Sequence, residues 1–168
     1  LGQAGFGELL DPVVVERVTA ELQRTAGDRR ACGLEGVADL LRELGPLSTE
    51  EVADRLGPAG FSRAAALREA EAHLAALEAA RRAIRVRIAD TGQWAAVEDA
   101  ARLRDGLGAI LPGGIPSAFL EPVADPLRDL ISRYARTHGP FTTGEAAARF
   151  GPGAAVADEA LARRRAQG

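Results

Sequence analysis

A stretch written twice, apolar residues recurring at helical spacing along most of the chain, and one short run that switches to alternation predict a mainly α fold with a small β-hairpin wing (α+β). The predicted arrangement is tandem winged helix-turn-helix units. The duplicated stretches are RELGPLSTEEVADRLG at 42–57 and RTHGPFTTGEAAARFG at 136–151. Shifting residues 38–57 by 94 aligns them with 132–151, and eight of the twenty pairs are identical: Arg42/Arg136, Gly45/Gly139, Pro46/Pro140, Thr49/Thr143, Glu51/Glu145, Ala53/Ala147, Arg55/Arg149 and Gly57/Gly151. Nearly every matched position has a geometric task as stop, turn, cap or small residue at a helix crossing, so the repeat speaks for architecture before function. The 168 residues could bury one good core or two small ones, and the repeat favours two.

Asp11-Pro12 ahead of Val14, Val15, Val18 and Leu22 predicts a capped amphipathic helix ending near Gly27. A second helix over 34–44 places Val37, Leu40, Leu41 and Leu44 on one face, and Gly45-Pro46 stops it. Ser48 with Glu51 three residues on predicts a capping box at the start of a short helix closed by Gly57. A longer helix over 61–83 turns Leu67, Ala70, Leu74 and Leu77 inward. Ile84, Val86 and Ile88 then alternate with Arg85, Arg87 and Ala89, followed by an expected turn at DTGQ and a second apolar strand WAAV. Three helices and a hairpin are the order of a winged helix, with the third helix as reader and the hairpin as wing.

A helix over 99–107 and a Gly/Pro-rich connector follow. Asp125-Pro126 then opens a helix with Leu127, Leu130, Ile131 and Tyr134 on one face, and Thr142 with Glu145 rebuilds the capping box. A third helix from about 155 would complete the second unit, whose wing is missing, so the parent protein is expected to continue. The expected division is an N-terminal helix and connector (1–33), a first winged-helix unit (34–98), a helix and connector (99–124) and the first three helices of a second unit (125–168).

Composition bounds the function. There is no Lys, Asn or Met, all 21 basic residues are Arg, and the net charge is -3, so nucleic-acid binding must come from a local arginine cluster. The Ala, Gly and Arg bias suggests a GC-rich genome, and the missing initiator Met an excised fragment. Cys32 stands alone, and with His73 and His138 it makes too thin a set for zinc, so no cofactor is expected. No apolar run approaches the roughly 20 residues that span a bilayer, which with the lone cysteine predicts a soluble, cytoplasmic protein without membrane partners.

A phosphate-binding loop needs the lysine this chain lacks, and no H-E-x-x-H, C-x-x-C or G-x-S-x-G occurs, so no catalytic residue is nominated. Glu98 and Asp99 read as solvated residues at a helix start. The richest basic stretch is RRAIRVRIA, whose Arg81, Arg82, Arg85 and Arg87 lie at the end of the reading helix and on the wing's polar face. They are placed to neutralise phosphates, or else to guard a strand edge against pairing. Arg163, Arg164 and Arg165 form a second cluster, either for phosphate or as complement to a helix C-terminus. The reading helix carries Arg63 and Arg68 but also Glu69, Glu71 and Glu78, a poor surface for base-specific readout. Trp94 is expected as a packing plug between wing and helices.

Taken together, LLDPVVVERVTAELQR, EGVADLLRELGPLSTEEVADRLG, WAAVEDAARLRDGLG and IPSAFLEPVADPLRDLISRYARTHGPFTTGEAAARFG resemble the actinobacterial type of the large helicase-related (Lhr) family of superfamily 2 DNA helicases. The likeness runs along essentially the whole chain. It implies a tandem winged-helix region behind ATP-driven motor domains that unwind duplexes or RNA:DNA hybrids in genome maintenance and DNA repair. The implied partners are DNA or an RNA:DNA hybrid and the rest of the parent helicase chain. A related winged-helix glycosylase family carries Gln-x-Gln, a spacing that Gln3, Gln23, Gln93 and Gln167 never show. The leading expectation is a non-catalytic module making nonspecific nucleic-acid contacts. The alternatives are a protein-interaction or homo-oligomerisation scaffold and, more weakly, part of a glycosylase.

Overall fold

A computed structural model describes residues 11–58, 60–138 and 142–151. Helix α1 (Pro12–Leu22) starts where the side chain of Asp11 accepts from the Val13 amide at 2.9 Å, with Pro12 in the first turn. It ends before Gly27, the expected stop, because Arg24, next to the C-cap Gln23, takes a left-handed φ of 59°. Helices α2 (Gly33–Leu44), α3 (Thr49–Ala53) and α4 (Arg63–Ala79) form the first three-helix unit. Leu40, Leu41, Val52, Leu56, Leu74 and Leu77 fill its centre, each almost completely excluded from water. The Ser48–Glu51 capping box forms in both directions, at 3.1 and 3.0 Å. Helix α4 is shorter at both ends than its expected span.

Strands β1 (Ala83–Ile88) and β2 (Thr91–Ala96) make an antiparallel hairpin with Ile88 opposite Thr91. The turn is therefore Ala89-Asp90, one step before the expected DTGQ. Both residues hold left-handed φ values, 48° and 63°, as the two-residue turn that matches strand twist requires. Neither is Gly or Asn, which is why composition pointed past them. Ala89 is exposed, so Ala89→Asn should relieve strain and stabilise by about 0.5–1 kcal/mol, raising Tm by about 2 °C in a melting curve.

The hairpin is sandwiched. Ala83, Trp94 and Ala96 belong to the core of α2–α4. Ile84, Val86, Ile88 and Ala95 belong to a second core with Leu103 and Leu130, which Leu111, Ile115, Phe119 and Leu120 of the Gly/Pro-rich connector help to cover. Each strand also meets one further residue through paired backbone hydrogen bonds: Trp94 of β2 with Leu47, at 2.9 and 2.7 Å, and Arg87 of β1 with Ile110, at 3.3 Å each way.

A 3-10 turn (Val97–Asp99) leads into α5 (Ala100–Leu107). After the connector and its 3-10 turn (Ser117–Leu120), α6 (Pro126–His138) buries Leu130, Ile131 and Tyr134 against α5 and α2. Helix α7 (Thr143–Phe150) opens on the Thr142–Glu145 capping box, and Phe150 meets Tyr134 edge to face, ring centroids 5.3 Å apart. The Gly139-Pro140 stop, Phe141 and the helix expected from about 155 lie outside the described residues.

Candidate nucleic-acid interface

The alternation that sends Ile84, Val86 and Ile88 into the second core turns Arg85 and Arg87 outward, where both are exposed. Arg85 lies with its guanidinium carbon 4.6 Å from the Trp94 ring centroid and its Nε 3.0 Å from a Glu78 carboxylate oxygen. Arg87 reaches Asp90 across the turn at 3.9 Å. Arg82 is bidentate to Glu35, 2.7 Å on each arm, and that hydrogen-bonded pair holds the Glu35 carboxyl below its ordinary range. Arg81, at the left-handed link between α4 and β1 (φ 58°), makes no side-chain hydrogen bond or ion pair among the described residues. Exposed ion pairs of this kind contribute about 0–1 kcal/mol, so a phosphate could displace the carboxylates at little cost. Arg163, Arg164 and Arg165 lie outside the described residues. Trp94 is almost buried and donates from Nε1 to Thr49 Oγ1 at 3.1 Å, the packing plug its apolar neighbours suggested.

The outward face of α4 shows Ala64, Ala72, Ala75 and Ala76 with Glu69 and Glu71, alongside Arg68. Alanine offers no donor to a base edge and glutamate repels phosphate, so base readout by this helix is poorly served.

Sequence reasoning missed a second arginine group. A groove of about 580 Å³ opens between the C-terminal end of α2, the start of α5 and the outer face of α6, and Arg42, Arg102, Arg128, Arg133 and Arg136 line it. Asp99, expected to be solvated, lies at its base with its side chain only 6% exposed. This corrects the expectation: Arg133, 34 positions further on, folds back to donate to Asp99 at 2.9 Å, and Arg102 approaches at 3.6 Å. Burial pushes the Asp99 carboxyl above its ordinary value, and the arginines only partly oppose it. The Arg133 guanidinium also approaches Gly45, where an added Cβ would come within 2.9 Å of its Nη2, and the φ of 85° there favours glycine. A signal did exist, because Arg42 and Arg136 are equivalent positions of the repeat and here they line one groove.

Two other repeated arginines part company. Arg149 spans both Glu51 carboxylate oxygens at 2.9 Å and donates to the Pro46 carbonyl. Its counterpart Arg55, 7% exposed, donates to the backbone and side-chain oxygens of Gln23, at 2.8 and 2.9 Å, and to the Glu51 carbonyl at 2.7 Å. Gln23 in turn donates to the Thr137 carbonyl, so α1, α3, α6 and α7 meet at one polar joint. These matched positions hold α1, α3, α6 and α7 together, a role beyond the local geometry first read into them.

Among the described residues no helix is long and apolar enough to cross a membrane. Residues 8–122 match the family model described as the large helicase-related protein winged-helix domain. The chain is 49% identical over 163 residues to the Lhr helicase/probable uracil glycosylase of Mycolicibacterium smegmatis, covering 97% of this chain and 10% of that protein. It is 45% identical over 168 residues to the Lhr helicase/uracil glycosylase of Escherichia coli, covering all of this chain and 10% of that protein. The chain thus spans about a tenth of the length of the curated relatives it matches.

Proposed function

The chain belongs to the large helicase-related (Lhr) family as a winged-helix domain, and from that premise we propose that it is a non-catalytic module gripping the nucleic-acid backbone for a helicase, without reading sequence. The observation that carries this is the hairpin: Arg85 and Arg87 are exposed on one of its faces, Arg81 stands beside them with no partner among the described residues, and α4 next to them presents mostly alanine and glutamate. The parent would use ATP to move along DNA or unwind an RNA:DNA hybrid in genome maintenance, at the nucleoid of a bacterial cytoplasm. Arg82, Arg163, Arg164 and Arg165 are further candidate contacts, and no cofactor is assigned to this part. The test is the salt dependence of binding to oligo(dT) and to duplex DNA. Arg81→Ala/Arg85→Ala/Arg87→Ala should reduce the slope of log K against log salt on single strands by about 2, at roughly 0.7 per lost contact. Binding by the unaltered chain that is absent, or flat in salt, would sink the proposal.

Uracil glycosylase appears in the names of both relatives, and our reading gives this chain no part in that chemistry. Among the described residues the one buried carboxylate, Asp99, is occupied by Arg133 and Arg102. A base-excision assay on a uracil-containing strand checks this.

A second reading, a scaffold surface, has its own observation: Val13, Val14, Val18 and Leu22 of α1 are exposed, Val13 by 71%. The occupant we favour is another part of the same polypeptide, since this chain spans a tenth of its relatives. Light scattering that shows a dimer at high concentration would make the occupant a second copy instead.

A further inference from the structure

We propose that the groove between α2, α5 and α6 is a phosphate-binding site, distinct from the hairpin, that takes the phosphate groups of a nucleic-acid strand or of a free polyphosphate. Five guanidinium groups face three carboxylates there, in a chain whose overall charge is -3, so the groove is a local reversal of sign. Two of the carboxylates are committed, Asp99 to Arg133 and Arg102, and Asp129 to Arg102 at 3.1 Å, while the third, Glu98, is exposed at the rim. Arg42 pairs with Asp39 outside the groove. Arg128 and Arg136 are exposed and make no hydrogen bond or ion pair among the described residues.

The spacing suits a chain of phosphates. Arg128, Ser132 and Arg136 stand four residues apart on one row of α6, about 12 Å from first to last, with a hydroxyl donor between two guanidinium forks. Arg42 lines the groove from α2 and is one rotamer change from releasing Asp39, so the two copies of the repeat contribute the same side chain to the same groove. Planar forks on both walls match phosphate oxygens bidentately, and the groove volume of about 580 Å³ exceeds what a single carboxylate needs.

The inference rests on the groove's own charges and not on the hairpin, and the experiment keeps the two apart. The 168-residue chain is titrated with pyrophosphate, with an eight-nucleotide oligo(dT) and with hexaglutamate, following backbone amide and arginine Nε–H resonances by NMR. Pyrophosphate should shift resonances around Arg42, Arg128 and Arg136 to saturation. Arg128→Glu/Arg136→Glu should weaken it at least about tenfold and Arg128→Gln/Arg136→Gln by less, both variants keeping wild-type circular dichroism, while Arg81→Ala/Arg85→Ala/Arg87→Ala leaves it unchanged. Saturation by oligo(dT) at the same resonances identifies a strand as the source of the phosphate; saturation by pyrophosphate alone identifies a free polyphosphate. Non-saturating shifts spread over all surface arginines, indifference to charge reversal, or equal binding of hexaglutamate overturns the site. Loss of the groove signal with oligo(dT) still bound at the hairpin removes this inference and leaves the backbone grip standing.

Discussion

Arg133→Met is expected to destabilise the chain by about 3–5 kcal/mol, because it strands the buried Asp99 carboxylate without its nearest counter-charge. Tm should fall by roughly 10 °C or more for a protein of this size. The loss should depend on pH in a defined direction. Burial already raises the Asp99 carboxyl above its ordinary value in the fold, so the folded state takes up a proton more readily than the unfolded one. The stability tied to this group is therefore complete below the ordinary carboxylate range and declines as pH rises through the raised value. Removing Arg133 raises it further. Urea titrations should accordingly show a small deficit near pH 4 that grows to its full size at pH 7. A deficit of constant size across that range would disprove the assignment. Asp99→Leu/Arg133→Met should recover much of the loss, since an apolar pair of similar volume avoids the desolvation that the ion pair must overcome.

Glu51→Gln should cost about 2 kcal/mol and detach α7 before the rest of the fold, because the carboxylate both caps α3 and holds Arg149 by two charge-assisted hydrogen bonds. Its pH signature has the opposite sign. Burial by itself would raise this carboxyl, but Arg149, the Ser48 amide and Arg55 together hold it below its ordinary value. Its stabilisation is thus present above about pH 4.5 and lost as pH falls through the depressed value. Hydrogen exchange should show α7 amides opening first in the variant and, at acid pH, in the wild type. A double-mutant cycle with Arg149→Ala isolates the pair, and a coupling near zero would refute the joint.

What could be read from the sequence was local in cause. Asp11-Pro12, the two capping boxes and the apolar face of α6 each depend on groups within a few residues, and each formed as written. What escaped depends on groups far along the chain. Gln23 at the end of α1 is tied to Arg55 and Thr137, and Asp99 is buried because Arg133 returns to it. The hairpin turn fell on Ala89-Asp90 because pairing of the strands fixed the register, overriding the better turn residues at Gly92 and beyond. Of the arginines, the alternation along β1 located those on the hairpin. Those of the groove come from α2, α5 and α6, and only the identity of Arg42 with Arg136 hinted that they meet. Arg55 and Arg149 sit in the same motif with different partners, since a motif sets where a side chain starts and its neighbours set where it ends.

The bridges from Leu47 and Ile110 that flank the hairpin bear on how such a chain is made. A protein that strings similar winged-helix units along one polypeptide risks exchanging strands between neighbours as they emerge from the ribosome, because like sequences pair readily and any bare strand is a template. Here each strand is met by a residue from its own unit or the connector directly behind it, only some tens of positions away in the chain. The middle of each outer edge can therefore be occupied by nearby chain early in folding, which leaves less bare strand for a like sequence to pair with.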